Sequence, residues 1–191
     1  MYIPGNHDSE VMFQVEDAPV WGTSVNLHLR TVKMAEKLTI AGMGGSTNIY
    51  CTGKDGTQEP EEIWHKGTYP YEKEDKFSAD LGKLEAKLDG NSDQIFLMTH
   101  DGPAGNKTAH MVEEPHGHLE FGSRSLANYL KANADRVLLN LHGHCHGGAQ
   151  SDLETLKVPS YNPGPLIAGH FAIMELTRTD GKWKVSEYKA F

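Results

Sequence analysis

The strongest constraint on the fold is a short apolar run that ends in a cluster of histidines and glycines. The run, Val137 to Leu141, leads directly into His142-Gly143-His144-Cys145-His146-Gly147-Gly148. An apolar run of this length is typical of a strand buried in a sheet. Because side chains two positions apart on an extended backbone point the same way, His144 and His146 can project together from the end of this strand. Neutral imidazole is a common metal ligand, so the pattern indicates a metal site, with a histidine-rich polar loop as the alternative.

Two other apolar segments end in residues of the same kind. Met1 to Pro4 leads into Gly5-Asn6-His7-Asp8, and Ile95 to Met98 leads into Thr99-His100-Asp101. Asparagine offers a carbonyl oxygen to a hard cation, histidine can act as a general acid or base, and aspartate can orient a histidine through its ring N–H. Because α/β sheets bind ligands at the carboxyl ends of their strands, we expect the three segments to meet at one site.

The remaining segments alternate between strand and helix patterns. Strands are predicted at 21–32, 38–43, 94–99 and 137–141, followed by a hairpin of 170–176 and 182–188 about Asp180-Gly181. Ser78 is expected to cap one helix that stops at Gly90, and Ser123 a second helix. This alternation predicts an α/β fold, with one domain covering 1–191.

Several polar or glycine-rich segments each leave two interpretations open. His28 either touches substrate or faces solvent, and the glycine turn 42–46 either cradles an anion with its N–H groups or is a tight turn. Residues 47–76 form either a lid over the site or a disordered excursion, because a loop of this length is usually functional or disordered. Three further histidines either bind substrate phosphate or are surface residues without a functional role, namely His110, His116 and His118.

The composition excludes some classes of function. The 191 residues include 18 Lys and Arg against 26 Asp and Glu, a net charge of −8, which disfavours binding to nucleic-acid backbones. Two cysteines are too few for a disulfide framework and indicate a reducing compartment. The sequence shows no membrane-spanning stretch and no export signal. We therefore expect a cytoplasmic protein without a membrane or nucleic-acid partner.

The three strand-end motifs, in this order, resemble the last three motifs of the calcineurin-like metallophosphoesterases. Those motifs run G-N-H-[DE], H and G-H-x-H, and they match Gly5-Asn6-His7-Asp8, His100 and Gly143-His144-Cys145-His146. Other segments are similar to a subgroup of phosphoesterases related to bacterial cyclic-AMP phosphodiesterase, namely Ile40 to Ser46, Gly122-Ser123 with Leu126, and Tyr161 to Leu166. The resemblance implies a sandwich of two mixed sheets flanked by helices.

The resemblance also implies a reaction and a role for each motif residue. Two divalent cations, Mn²⁺, Fe or Zn²⁺, would activate water to hydrolyse a phosphomonoester or phosphodiester in a small molecule or a phosphoprotein. The ligands that the resemblance implies are Asn6, His100 and His144 for the second metal and His146 for the first. His7 would protonate the leaving oxygen or stabilise the phosphoryl charge, and Asp8 would orient His7.

One part of the family pattern is absent from this sequence. The first two motifs, D-x-H and G-D-x-x-[DN], would precede Gly5, and neither D-x-H nor Gly-Asp occurs anywhere in the chain. We therefore expect an incomplete domain that lacks its first strands. In that case Val137 to Leu141 and Ile95 to Met98 would lack neighbouring strands. The alternative function is a catalytically impaired remnant that serves as a scaffold or interaction module, binding another copy or a partner chain through an exposed sheet edge.

Overall fold

A computed structural model describes residues 1–14, 23–51, 61–64, 71, 73–113 and 117–191. These residues form a mixed α/β fold with several sheets, as the sequence predicts. The described helices are α1 (Glu74–Lys87) and α2 (Arg124–Ala132), with short 3₁₀ helices at Glu10–Phe13, Lys107–Ala109 and Leu166–Ala168. The described strands, in chain order, are β1 (Arg30–Ala35), β2 (Leu38–Met43), β3 (Ile49–Cys51), β4 (Glu61–Trp64), β5 (Gln94–Thr99), β6 (Gly102–Pro103), β7 (His110–Glu113), β8 (Gly117–Glu120), β9 (Gly122–Ser123), β10 (Val137–Leu141), β11 (Ser151–Asp152), β12 (Ser160–Tyr161), β13 (Ala172–Thr179) and β14 (Lys182–Ala190). None of the described helices combines the length and the hydrophobicity that a membrane span requires.

The largest sheet among the described residues has the strand order β1-β2-β5-β10-β12-β11. Its four inner strands run parallel, and β1 and β11 are antiparallel to their neighbours at the two edges. The apolar runs predicted as strands form β2, β5 and β10 with the expected bounds. The expectation that β5 and β10 lack neighbours is wrong, because β2 pairs with the free side of β5 and β12 pairs with the free side of β10.

One face of this sheet is covered by α1 and α2. The apolar side chains that meet here are Phe77, Leu81 and Leu84 of α1, Leu126 and Leu130 of α2, and Met43, Ile95 and Leu97 of the sheet. All of them are buried. Because burying one such side chain contributes about 1.5–3 kcal/mol, this helix-side core is the main source of hydrophobic stabilisation in the described fold.

The two helices are joined at their N-terminal ends. The Ser123 hydroxyl accepts the Leu126 N–H at 3.1 Å, which confirms the predicted cap of α2. α1 begins at Glu74, so the predicted start at Ser78 is wrong. The Glu74 carboxylate accepts the Arg124 N–H at 2.8 Å and the Ser123 hydroxyl at 2.9 Å. The first turn of α1 is therefore held by the end of another helix, a contact that local sequence does not reveal.

The opposite face of the sheet is covered by the antiparallel pair β13 and β14. Asp180 and Gly181 connect the strands with φ angles of 51° and 78°, the left-handed conformation that a two-residue hairpin turn requires. The predicted hairpin is thus confirmed. Its inward side chains are Met174, Leu176, Trp183, Val185 and Tyr188, and they pack on Phe96, Leu139 and Tyr161. These hairpin side chains are only partly buried, so the hairpin-side core is less closed than the helix-side core.

The strand predicted at 21–32 forms only at 30–32, the start of β1, because a turn interrupts it just before; residues 21 and 22 lie outside the described part of the chain. Leu29 has a φ of 50°, and the Arg30 N–H donates to the Leu27 carbonyl at 2.9 Å. His28 is 3% exposed, and its Nδ1 accepts the Gly44 N–H at 3.0 Å. The interpretation in which His28 faces solvent is therefore wrong. Because Gly45 likewise donates its N–H, to the Pro4 carbonyl at 2.9 Å, the N–H groups of Gly44 and Gly45 are both engaged by the protein and are not available to cradle an anion.

We expect the protein to lose stability as the pH falls from about 7 to 5, in part through His28. Burial lowers the pKa of His28 from 6.5 to about 4. Below pH 6.5 His28 is therefore protonated in the unfolded chain but stays neutral in the folded chain. This difference lowers the free energy of unfolding, and at pH 5 the contribution of His28 to that loss is about 2 kcal/mol. His28→Gln should flatten the pH dependence of urea unfolding, whereas replacement of the exposed His170 should not. An unchanged slope in His28→Gln would contradict this account.

A smaller sheet of order β4-β3-β8-β7 stands beside the large one. It takes β3 and β4 from within 47–76, so the prediction of an irregular loop is wrong for those residues. β3 and β4 are only three and four residues long, too short to show the alternation that predicts a strand, and β3 pairs with β8, far along the chain. Residues 52–60, 65–70 and 72 of the predicted lid lie outside the described residues.

Candidate functional site

A cleft of about 320 Å³ lies at the carboxyl ends of β5 and β10. Its lining residues are Asn6, His7, Ile49, His100, Met111, Phe121, His144 and His146. Five of the six residues singled out from the sequence therefore line one cleft, and Asp8 is not among the lining residues. His100 follows the last residue of β5, and the histidine pair follows β10. The expectation that the three strand-end segments meet is confirmed.

Backbone hydrogen bonds join the three segments. The His100 N–H donates to the Met43 carbonyl at 3.0 Å, and the Gly143 N–H donates to the His100 carbonyl at 3.1 Å. The N-terminal segment is held through its Pro4 carbonyl, which the Gly45 N–H reaches. These bonds place the side chains of the site on a backbone frame that is set by the parallel sheet.

Asn6 and His100 are in direct contact. The Asn6 Oδ1 lies 2.9 Å from the His100 Nε2, and the His100 ring centroid lies 5.0 Å from that of His144. The contact depends on Gly5, because an added Cβ there would lie 2.9 Å from the His100 Cε1, closer than van der Waals packing allows. An amide oxygen and two imidazoles are thus brought together, a mixed oxygen and nitrogen donor set that suits several divalent metals.

His144 has two features that set it apart from the other histidines of the cleft. Its backbone φ is 61°, a left-handed conformation that is uncommon for a residue with a side chain and that is often found at functional sites. Its Nε2 is buried without a hydrogen-bond partner, which costs about 1–3 kcal/mol unless another group satisfies the nitrogen. A metal ion in the cleft would satisfy it.

Burial keeps both central imidazoles neutral at pH 7. It lowers the pKa of His100 to about 4, with smaller contributions from His142, His7 and His146. Burial likewise brings the pKa of His144 well below the usual histidine value. The neutral imidazole is the form that binds metals. Within the described residues, however, no group of three or more His, Cys, Asp or Glu side chains is arranged to hold a metal ion. A three-donor set at this cleft therefore needs a residue of another type, and the amide oxygen of Asn6 is that donor.

Asp8 serves the turn that precedes it. Its Oδ2 accepts the Gly5 N–H at 2.7 Å, and its own N–H donates to the Gly5 carbonyl at 3.2 Å. Asp8 therefore closes the turn that brings Gly5 against His100. Its orienting role toward His7 stays a prediction, as do the individual roles of His7 and His146, which are exposed at the cleft.

Several residues of the site were not found from the sequence. Ile49, Met111 and Phe121 form the apolar part of the wall, and the Phe121 ring stands edge-on to His144 with centroids 5.4 Å apart. They come from the smaller sheet and the segment after it, where short strands show no clear period. The buried His142 is bonded through Nε2 to the Thr108 hydroxyl at 2.6 Å, so it supports the loop without lining the cleft.

Gly5→Ala should weaken metal binding by about tenfold, the size expected when the support of a ligand is disturbed. The added methyl would push the His100 ring away from Asn6. Manganese affinity by calorimetry and the imidazole NMR signals of His100 measure the effect. Gly82→Ala is the matched control, because its Cβ meets nothing within 4 Å and alanine favours a helix. Equal affinities in the two variants would contradict the close approach.

Comparison with known proteins agrees with the motif analysis. The family model for calcineurin-like phosphoesterases matches residues 1–148. No curated protein matches the chain. Among solved structures, the chain is similar to the crystal structure of TT1561 of Thermus thermophilus, with 19% identity and a TM-score of 0.46 over 77% of this chain and 52% of that one. The present chain thus spans about half the length of that structure. The likeness to the cyclic-AMP phosphodiesterase subgroup stays a prediction. Because the family model covers well over half of the sequence, the protein belongs to the calcineurin-like phosphoesterase family, a family of metal-dependent hydrolases of phosphoesters.

Proposed function

We propose that the cleft is the active centre of a phosphoesterase that uses two divalent cations, Mn²⁺, Fe or Zn²⁺, to hydrolyse a phosphomonoester or phosphodiester. The observation that supports this most strongly is the buried Nε2 of His144, which has no protein partner and lines the same cleft as His100 and Asn6. A buried imidazole nitrogen without a hydrogen-bond partner, next to an amide oxygen and a second imidazole, is the arrangement expected of a cation-binding site.

The proposed ligands of one cation are Asn6, His100 and His144, and His146 contributes to the other. When bound, such cations polarise a phosphoryl oxygen and activate water near neutral pH. By the family pattern, His146 is the single ligand that this sequence supplies to the other of these cations, because the sequence contains no D-x-H or Gly-Asp motif. The centre formed by this chain alone is therefore weaker at that position than at the position of Asn6, His100 and His144.

The chain's own residues would then do three things. His7, exposed in the cleft beside Asn6, donates a proton to the leaving oxygen of the ester. Phe121 and Met111 form an apolar wall that limits the water around the phosphate. The half-buried ring of His100 stays neutral, because its desolvation lowers its pKa to about 4, and so it remains a ligand rather than an acid. The substrate class is a phosphate-ester small molecule or a phosphoprotein. We place the activity in the cytoplasm, where a free thiol such as that of Cys145 stays reduced.

His7→Ala should lower kcat about 10²–10⁴-fold in manganese-dependent hydrolysis of p-nitrophenyl phosphate or bis-p-nitrophenyl phosphate, with the bound manganese unchanged. The reason is that His7 lies at the cleft without being one of the proposed ligands. Metal analysis of the same samples separates the two roles, and His170→Ala is the control. If His7→Ala stripped the metal while the activity per bound metal persisted, the assignment of His7 as the acid would be wrong.

The second candidate function is an impaired remnant that acts as an interaction module. The observation that favours it is the exposure of large apolar side chains on the hairpin and its flanks, including Phe171, Ile173 and Phe191. Contiguous exposed apolar surface is typical of sites that bind another chain. Light scattering on the purified chain should then show a dimer or a larger assembly, with little phosphoesterase activity. A stable monomer with full manganese-dependent turnover would contradict the second candidate.

A further inference from the structure

A second pair of histidines lies outside the cleft, on the hairpin of β7 and β8. The strand register pairs Val112 with His118 and Met111 with Leu119. Residues paired across antiparallel strands share a face, and neighbours along a strand lie on opposite faces. His110 and His118 therefore share the face opposite to that of Met111, which lines the cleft. The two histidines are separated from the cleft by the sheet itself.

One ring nitrogen of each imidazole lies within hydrogen-bond distance of a ring nitrogen of the other. His110 Nε2 and His118 Nδ1 are 3.2 Å apart, and the rings are nearly parallel, with an interplanar angle of 21° and centroids 5.2 Å apart. Tetrahedral zinc with bonds of 2.0–2.1 Å to two imidazoles would hold the two nitrogens about 3.4 Å apart. The observed separation is within a few tenths of an ångström of that value. Both side chains are only partly buried, so a metal can reach them and small ring rotations can complete the geometry.

We propose that His110 and His118 form a second metal site that binds a divalent cation of the Zn²⁺, Ni²⁺ or Cu²⁺ type through their two imidazole nitrogens. Water fills the remaining coordination positions. Hard cations such as Mg²⁺ do not bind at this site, because they select oxygen ligands. Glu120 is not counted as a third ligand, because no three His, Cys, Asp or Glu side chains among the described residues are arranged to hold a metal ion; its carboxylate accepts the N–H groups of Gly105 at 2.9 Å and Gly122 at 3.1 Å.

The electrostatics of the pair agree with this role. Burial lowers the pKa of His110, and the neighbouring His118 lowers it further, which favours the neutral imidazole that binds metals at this residue. A metal here would also cross-link β7 and β8, and these strands carry or directly precede Met111 and Phe121 of the cleft wall. Zinc on the outer face would thus stiffen one wall of the cleft.

Zinc titration of the full chain tests the proposal. Calorimetry on the wild type, His110→Gln and His118→Gln should show that each pair variant loses one zinc equivalent or binds it at least tenfold more weakly. His144→Gln, which alters the cleft, should retain that equivalent. His170→Gln is the matched control because His170 is an exposed histidine elsewhere on the surface. Circular dichroism checks that each variant is folded.

The unmodified chain provides a second measurement that does not depend on any variant. In NMR spectra the ring signals of His110 and His118 should shift together as zinc is added up to several equivalents, beyond what the cleft takes up, and magnesium should leave them unchanged. The proposal is overturned if those signals do not move, if the pair variants bind zinc as the wild type does, or if His170→Gln loses the same equivalent. Manganese binding in the cleft is measured separately, so this result and the proposed phosphoesterase function can fail independently.

Discussion

Replacing Phe77 with alanine should lower the free energy of unfolding by about 3–5 kcal/mol. The Phe77 side chain is 0% exposed and packs edge-on against Tyr71, with ring centroids 4.9 Å apart. It lies in the helix-side core, where close packing leaves little room for neighbours to relax into a cavity. Urea unfolding at pH 7, followed by circular dichroism, measures the loss.

Phe171→Ala is the matched control for the hairpin side of the molecule. Phe171 is 48% exposed and stacks on the exposed Phe191, with centroids 5.0 Å apart. The same chemical change should therefore cost less than about 1 kcal/mol, because most of the side chain already contacts water. Losses of equal size in the two variants would mean that Phe171 is buried in solution, and would support association through the hairpin side.

His144→Ala should lower manganese affinity in the cleft by about 100-fold or more, since it deletes a proposed ligand whose support alone is worth about 10–100-fold. The effect on stability should be small or favourable, because the variant removes a buried nitrogen that has no protein partner. Calorimetric titration with manganese and urea unfolding on the same preparation measure the two effects. Manganese is the better ion here, because two imidazoles bind it more weakly than they bind zinc, so the outer histidine pair competes less for it.

His142→Gln is the control variant for His144→Ala, at a histidine two positions earlier in the chain. Both ring nitrogens of His142 are engaged, Nε2 with the Thr108 hydroxyl at 2.6 Å and Nδ1 with the Gly143 carbonyl at 3.0 Å. This variant should lose stability while keeping manganese affinity within a few-fold of the wild type. A metal site elsewhere is indicated if His144→Ala binds manganese normally. A general disturbance of the loop is indicated if both variants lose manganese equally.

Most of the cleft could be predicted from the sequence because its residues belong to short local motifs. An apolar strand followed by a glycine turn specifies both the strand and the point at which it ends, and Val137 to Leu141 with His144 is one such unit. Parallel strands then align their carboxyl ends, which is enough to bring His100 and His144 together. The same reasoning failed for the segment at 21–32, because the turn at Leu29 follows from contacts with Gly42 and Gly44 that are distant in sequence.

The sequence by itself determined the strands β2, β5 and β10, the helix cap at Ser123, the hairpin turn at Asp180-Gly181 and the family. Each of these depends on the period, the turn chemistry or the motif of a few consecutive residues. Only the tertiary structure decided that β2 and β12 flank β5 and β10, that Glu74 holds the end of α2, that Ile49, Met111 and Phe121 wall the cleft, and that His110 faces His118 on its far side. These features depend on pairing between segments far apart in the chain, and such pairing is set by the packing of the whole core rather than by any local pattern.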